Sequence, residues 1–210
     1  MTSVSAPDLW EEALNPDSVR DKLLSASMYI TAFEILKDSV VDRVRSVYSL
    51  GLDGSSETID PSYQTEVLSR NRSTIYASLD WLREHEVFTQ SDLATFETVK
   101  AVRNTLAHEL HAIATSQVQS THVESFQDVV GLLRKVEVWW IVTFEVPSNP
   151  DFDDVEIDID GIVPGPVLSL QLLIEVASGN KTFYEHFRKR REQRLNENPG
   201  SPAPAGPAAG

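Results

Sequence analysis

Apolar residues recur every three or four positions along most of the chain, and this spacing predicts amphipathic helices. The clearest stripe lies in residues 91–115. Its members are Leu93, Phe96, Val99, Val102, Leu106, Leu110 and Ile113. Ser91 is the expected N-cap of this helix, with Thr89 as a second candidate, because short hydroxyl side chains satisfy the free amides at a helix start. The pattern therefore predicts a single helix here, which we call the motif helix.

Similar patterns predict further helices before the motif helix. Residues 6–14 favour a short helix that ends at Asn15-Pro16, and a long helix is expected from Pro16 to about Leu50, stopped by Gly51. Residues 52–62 have the Gly, Ser, Asp and Pro content of a loop. Residues 63–85 are expected to be helical again, with a break near residues 72 and 73.

The apolar pattern that follows the motif helix predicts a further helix over residues 122–144. It is apolar on more than half of its circumference toward its C-terminal end, which places it at the centre of a bundle or against a partner. Trp139 and Trp140 are interpreted as core residues of this helix.

The composition changes after residue 146. Residues 147–166 form an acidic loop with carboxylates at 151, 153, 154, 156, 158 and 160, and the alternation over 155–162 suits a short strand. Two C-terminal helices are expected at 167–177 and 181–195. The tail, residues 196–210, is rich in Pro, Gly and Ala and is expected to be disordered. The fold class predicted from these patterns is all-α.

Composition restricts the possible functions. The chain has 210 residues, 41% of them hydrophobic, which indicates a globular protein with a substantial core. It has no cysteine, so disulfides, thiolate metal sites and cysteine nucleophiles are excluded. No secretion signal and no membrane span are recognisable, so a cytoplasmic protein without membrane contact is expected. The net charge of −14 opposes general binding of nucleic acid, so any contact with RNA requires a local positive site.

Four small or polar residues of the motif helix lie roughly opposite its apolar stripe. They are Asn104, Ala107, His108 and His111. Arg103 lies beside the stripe, about 140° around the helix from His108. The small side chain of Ala107 would let a second helix, or a second copy of this one, approach closely. Arg103 and His108 would then flank a shared cleft.

The hexamer Arg103-Asn104-Thr105-Leu106-Ala107-His108 resembles the signature of the HEPN superfamily, an arginine, a polar residue, and a histidine after four to six intervening residues. The resemblance implies a HEPN-like helical bundle over residues 17–146, preceded by an N-terminal segment, residues 1–16, and followed by the acidic loop, the C-terminal helices and the tail. It also implies a homodimer that joins two motif helices and cleaves RNA without a metal or other cofactor. Such enzymes act in toxin–antitoxin and antiviral defence systems, so an antitoxin or a larger defence complex is an expected partner.

The chemistry of these residues suits RNA cleavage. A histidine with a near-neutral pKa can remove the proton of the 2′-hydroxyl or protonate the leaving 5′-oxygen. Arg103 can hold the phosphate, and Asn104 can support it by orienting His108 or by bonding the phosphate. His111, one turn beyond His108, is a weaker candidate for a second acid or base.

Plain structural roles for the same residues remain open. Arg103 can form an ion pair with Glu97 or Glu109, while His108 can be an ordinary surface residue. A tyrosine that often follows the histidine by two positions in HEPN toxins is replaced here by Leu110, which weakens the match to toxins paired with a nucleotidyltransferase antitoxin. The alternative function is a non-catalytic helical interaction module or a regulatory subunit of a larger assembly.

No metal site is predicted. His108 and His111 lack the H-E-x-x-H spacing of zinc hydrolases, and a calcium loop that began at Glu156 would have Val167 at the twelfth position, where it needs a bidentate glutamate. A concentrated basic cluster occurs near the C-terminus, and it is a candidate contact for RNA or an acidic partner. Its members are Arg188, Lys189, Arg190, Arg191 and Arg194. The dipole of a helix C-terminus also favours such residues without any ligand.

Overall fold

The computed structural model describes residues 15–54, 56–115, 122–153, 155–182, 185, 186 and 188–190, and for residues 53, 109–115 and 122–124 it describes the backbone only. The fold is all-α with one small hairpin. Its elements are α1 (Pro16–Val47), β1 (Ser49–Asp53), β2 (Ser56–Ile59), α2 (Ser62–Glu66), α3 (Thr74–Glu84), α4 (Gln90–Thr115), α5 (His122–Trp140) and α6 (Gly165–Ala177). Short 3₁₀ turns cover Leu68–Arg70 and Pro150–Phe152, and a π turn, Ile141–Glu145, continues α5.

The long helix α1 packs against α3, α4 and α5, and α4 also packs against α5. The buried side chains of α1 supply one side of the core. They are Ala26, Tyr29, Ala32, Phe33, Leu36, Val40 and Val44. Phe33 meets Phe96 of α4 with ring centroids 5.6 Å apart, and the hydroxyl of Tyr29 donates to the carbonyl of Val99. The bundle is therefore built around α1, with α4, the motif helix, along one flank.

The chain separates into two compact units, Met1–Leu168 and Ser169–Gly210. The first contains α1 to α5 and the hairpin. The second contains most of α6, and further along it residues 182, 185, 186 and 188–190 are helical, as predicted for that segment. The helix predicted at residues 6–14 and the tail at 196–210 lie outside the described residues.

Two predictions of secondary structure are wrong. Residues 52–62 are not simply a loop, because β1 and β2 pair as an antiparallel hairpin there and the long helix ends at Val47. Gly51 adopts a positive φ of 109° beside a bulge inside β1, a conformation that glycine tolerates, so it shapes the strand instead of stopping the helix. The predicted strand at 155–162 is absent, since Asp158 accepts a hydrogen bond from the amide of Gly161 and closes a turn.

Trp139 and Trp140 are half-buried and belong to an aromatic cluster at one end of the bundle. Trp139 lies 6.0 Å from Trp81 of α3 and 5.7 Å from Phe144 of the π turn, centroid to centroid. Their predicted role in packing is therefore confirmed in part. In the described part of the chain, no helix combines the length and apolarity needed to cross a membrane.

The N-cap of α4 is Thr89 and not Ser91. The hydroxyl of Thr89 accepts a hydrogen bond from the amide of Asp92 at 3.2 Å, and the Asp92 carboxylate accepts one from the amide of Thr89 at 2.6 Å. This reciprocal arrangement is a capping box, which uses an acidic side chain three residues after the cap. Asp92 also binds Lys135 of α5 at 2.5 Å, so the start of α4 is fixed to its neighbour.

Thr89→Ala is expected to lower the free energy of unfolding by about 1 kcal/mol, because it removes the hydroxyl that caps α4. The matched control is Ser91→Ala, two residues along, whose effect should stay within about 0.5 kcal/mol. Urea unfolding followed by far-ultraviolet circular dichroism measures both. Equal losses in the two variants would contradict this assignment of the cap.

Candidate functional site

Arg103 projects from α4 toward α1, where its guanidinium is held by Glu34. Its Nη2 lies 2.6 Å and its Nε 3.1 Å from Oε1 of Glu34. Both side chains are about one-third exposed, at 31% for Arg103 and 32% for Glu34. Among the described side chains, Arg103 therefore pairs with a glutamate of another helix and not with Glu97 of its own helix. The side chain of Glu109, the other suggested partner, lies outside the described residues.

Glu34 is shared by two cations, because it also accepts a hydrogen bond from Lys37 one turn along α1. Partial burial by itself raises the pKa of Glu34. The hydrogen bonds and positive charges of Lys37 and Arg103 outweigh that effect, and the pKa lies below its ordinary value of 4.5. The carboxylate is therefore ionised at neutral pH and stabilises the position of Arg103.

Asn104 supports the guanidinium from the other side. The side-chain oxygen of Asn104 accepts a hydrogen bond from Nη1 of Arg103 at 3.3 Å. Arginine has five N–H donors, and Glu34 and Asn104 use three of them. Among the described residues, no atom accepts a hydrogen bond from the other two donors, one on Nη1 and one on Nη2, so these two donors are open to an anion.

His108 and Ala107 are exposed on α4, while Asn104 is half-buried. The exposure of Ala107 and His108 agrees with the face predicted opposite the apolar stripe, and the structure brings Arg103 into contact with Asn104. His108 lies one turn beyond Asn104 on the same side of the helix. The side chain of His111 lies outside the described residues, so its predicted role stays a prediction.

Three polar residues near Arg103 were missed by the sequence analysis. Glu34 and Lys37 come from α1, and Lys100 lies one turn before Asn104 on α4. The ammonium of Lys100 sits 4.6 Å from the centre of the Tyr76 ring, and its hydrogen bond to the Tyr76 hydroxyl raises the pKa of Lys100. Spacing along the helix would have identified Lys100, whereas Glu34 is 69 residues from Arg103 and only the folded chain shows it.

The basic cluster near the C-terminus lies only partly within the described residues. Arg188, Lys189 and Arg190 are exposed, and Arg191 and Arg194 lie outside the described residues. Within the described part of the chain, no group of three or more His, Cys, Asp or Glu side chains has the geometry of a metal site.

No protein-family model, curated protein or solved structure matches the chain. Function is therefore inferred from the residues of α4 and the side chains that surround them.

Glu34→Gln is expected to lower the free energy of unfolding at neutral pH by about 1 kcal/mol, because it removes the charge that two cations share. A carboxyl whose folded pKa is lowered contributes stability above its unfolded pKa and loses it as the pH falls through the folded value. The difference from the natural chain should therefore shrink below the ordinary pKa of 4.5. Urea unfolding at neutral pH and at about pH 3 measures it.

The matched control for this change is Glu97→Gln, which alters the exposed glutamate of α4 that the sequence suggested as the partner of Arg103. It should change the stability little at either pH. A loss as large as that of Glu34→Gln would show that general charge, and not the shared carboxylate, is responsible.

Proposed function

We propose that this chain is a metal-independent endoribonuclease in which Arg103 and His108 act on the phosphodiester. The observation that carries the proposal is the state of Arg103, which Glu34 and Asn104 fix in place while two of its N–H donors have no acceptor among the described residues. The amino-acid sequence of residues 103–108, which resembles the HEPN signature, supports the same conclusion. A role as a toxin or an antiviral-defence effector is part of this proposal.

In the proposed reaction the 2′-oxygen of RNA attacks the adjacent phosphorus and the bond to the 5′-oxygen breaks. The products are a 2′,3′-cyclic phosphate and a free 5′-hydroxyl. A neutral histidine accepts the 2′-hydroxyl proton, a protonated histidine gives one to the leaving oxygen, and Arg103 neutralises the charge that builds on the phosphoryl oxygens. One His108 in each of two copies would provide both forms.

A homodimer through α4 is the assembly that this reaction requires. Ala107 is exposed and small, and it lies between Asn104 and His108 in the chain, so a second α4 could cross closely there. Each copy would bring an arginine and a histidine to a common cleft. Lys37 and Lys100 add two cations near Arg103, and the carboxylate of Glu34 binds both Lys37 and Arg103.

The second candidate function is a non-catalytic interaction module or a regulatory subunit. The same ion pair favours it, because an arginine that bridges two helices through Glu34 has a structural role whether or not RNA is bound. The strong acidity of the chain also suits a protein that binds basic partners.

His108→Ala is expected to lower the rate of RNA cleavage in excess EDTA by about 10² to 10⁴-fold, the usual contribution of a general acid or base. Thr105→Ala, an exposed change on the same helix, is the control and should cleave normally. Cleavage of tRNA, rRNA and mRNA is followed by gel, and the 2′,3′-cyclic ends are identified chemically. Absence of cleavage by the natural chain on all three would favour the interaction module.

Ala107→Arg is expected to abolish cleavage and the α4-mediated dimer together, because a long charged side chain keeps a second α4 away. Circular dichroism should remain that of the natural chain, since residue 107 is exposed. The mass in solution and the cleavage rate are the two measurements. An active variant of unchanged mass would refute the dimer through this face.

A further inference from the structure

A cleft of about 410 Å³ is lined by α3, by the first part of α4 and by the turn that precedes α3. Sites that hold small molecules typically have volumes of about 300 to 1,000 Å³. The side chains that decide the chemistry of this cleft come from two helices. They are Tyr76, Leu79 and Asp80 of α3 and Leu93, Ala94 and Glu97 of α4. We call this site the α3–α4 cleft.

Apolar side chains from both helices form much of its wall. Leu79 is buried, and Tyr76 and Leu93 are half-buried. Ala94 is exposed, and its small side chain leaves open space on the α4 side. An aliphatic chain that entered the cleft would exchange contact with water for contact with these side chains, which is favourable.

The carboxylate of Glu97 is exposed at this cleft. Lys100, one turn along α4, attracts it electrostatically, but the ammonium of Lys100 donates its hydrogen bond to the hydroxyl of Tyr76. Among the described residues, no group donates a hydrogen bond to Glu97. Glu97 therefore offers an open acceptor to a ligand that carries N–H donors.

Asp80 supplies a second carboxylate from the other helix. Its hydrogen bonds from Arg83 and from Arg70 lower its pKa from the ordinary value of 3.8, so it is ionised at neutral pH. Each oxygen accepts one of these bonds, and an ionised carboxylate can accept about four in all. Arg70 also borders the cleft, but Asp80 and Glu84 both bind its guanidinium and offset its charge.

We propose that the α3–α4 cleft binds an aliphatic diamine or polyamine. One ammonium group lies at Glu97, a second lies at Asp80, and the methylene chain between them packs against Leu79 and Leu93. Hydrogen bonds between ammonium and carboxylate are charge-assisted and are stronger than those between neutral groups. The net charge of −14 also attracts a cation to the chain.

Other classes of ligand match the cleft less well. A phosphate or carboxylate ligand would face Glu97 and Asp80, which repel it. A bare metal ion would make no use of the apolar wall, and the described part of the chain has no group of three or more possible metal ligands. The cleft uses neither Arg103 nor His108, so the proposal does not depend on the proposed ribonuclease activity.

Isothermal titration calorimetry of the full chain with spermidine tests the proposal without RNA. The natural chain should bind spermidine saturably, and Glu97→Gln should weaken the binding about tenfold or more, because it removes the charged acceptor. The matched control is Asp21→Asn, which removes an exposed carboxylate from α1 and should leave the affinity unchanged. Circular dichroism checks that both variants fold.

A second pair of variants tests the volume of the cleft. Ala94→Phe should abolish spermidine binding, because the larger side chain occupies the space beside Leu93. Ala101→Phe is the matched control, since Ala101 is an exposed alanine of α4 that does not line the cleft, and this variant should bind normally.

The choice of ligand tests its chemical class. Putrescine, which has two ammonium groups, should bind more tightly than 1-aminobutane, which has one. The proposal is overturned if the natural chain binds no spermidine at millimolar concentration, or if Asp21→Asn weakens the binding as much as Glu97→Gln. Displacement of spermidine by Mg²⁺ as readily as by putrescine, at equal ionic strength, would also overturn it, because it would show unspecific counterion binding.

Discussion

The bundle depends on one ion pair that links α1 to α5. Glu137 is only 1% exposed, and Arg43 donates three hydrogen bonds to its carboxylate, the shortest 2.7 Å from Nη2. Loss of one member of such a pair costs about 3 to 5 kcal/mol, because the other charge is left buried without a partner. The guanidinium also lies 4.9 Å from the ring centre of Trp140, where α5 gives way to the π turn. Helix packing, charge and the local change of helix type are therefore coupled at this point.

The two interhelical arginines, Arg43 and Arg103, bind carboxylates that differ in burial. Arg43 meets an almost fully buried carboxylate and lies over an aromatic ring, which together fix its position in the fold. Arg103 meets a carboxylate that is one-third exposed and is shared with Lys37. Both arginines keep N–H groups that have no acceptor among the described residues, so the two differ in the burial of the carboxylate that each binds and not in the number of open donors. The more exposed carboxylate of Glu34 places the Arg103 pair closer to the solvent than the Arg43 pair.

Much of the fold was predictable because helices have a short and regular repeat. The apolar spacing predicted α1, α4 and α5 and the break between α2 and α3, and the exposed positions of Ala107 and His108 followed from the same geometry. The hairpin was missed because its residues have the composition of a loop, and pairing between strands is not visible in a local pattern. Ser91 and Thr89 are both suitable caps by residue type. Thr89 is the cap because it and Asp92 bond each other, a contact that residue type alone does not show. The hexamer 103–108 identified the candidate site, but the partner of Arg103 comes from another helix and no spacing within α4 could reveal it.

The aromatic cluster has a consequence for spectroscopy. Three of the four tryptophans, Trp81, Trp139 and Trp140, lie together where α3 meets the end of α5. The ring centroids of Trp139 and Trp140 are 6.4 Å apart, and Phe144 stacks on Trp140 with ring centroids 4.6 Å apart. Indole rings this close exchange excitation energy, and α4 contains no tryptophan. Intrinsic fluorescence from these three indoles therefore reports the end of the bundle and is silent about the helix that carries Arg103 and His108.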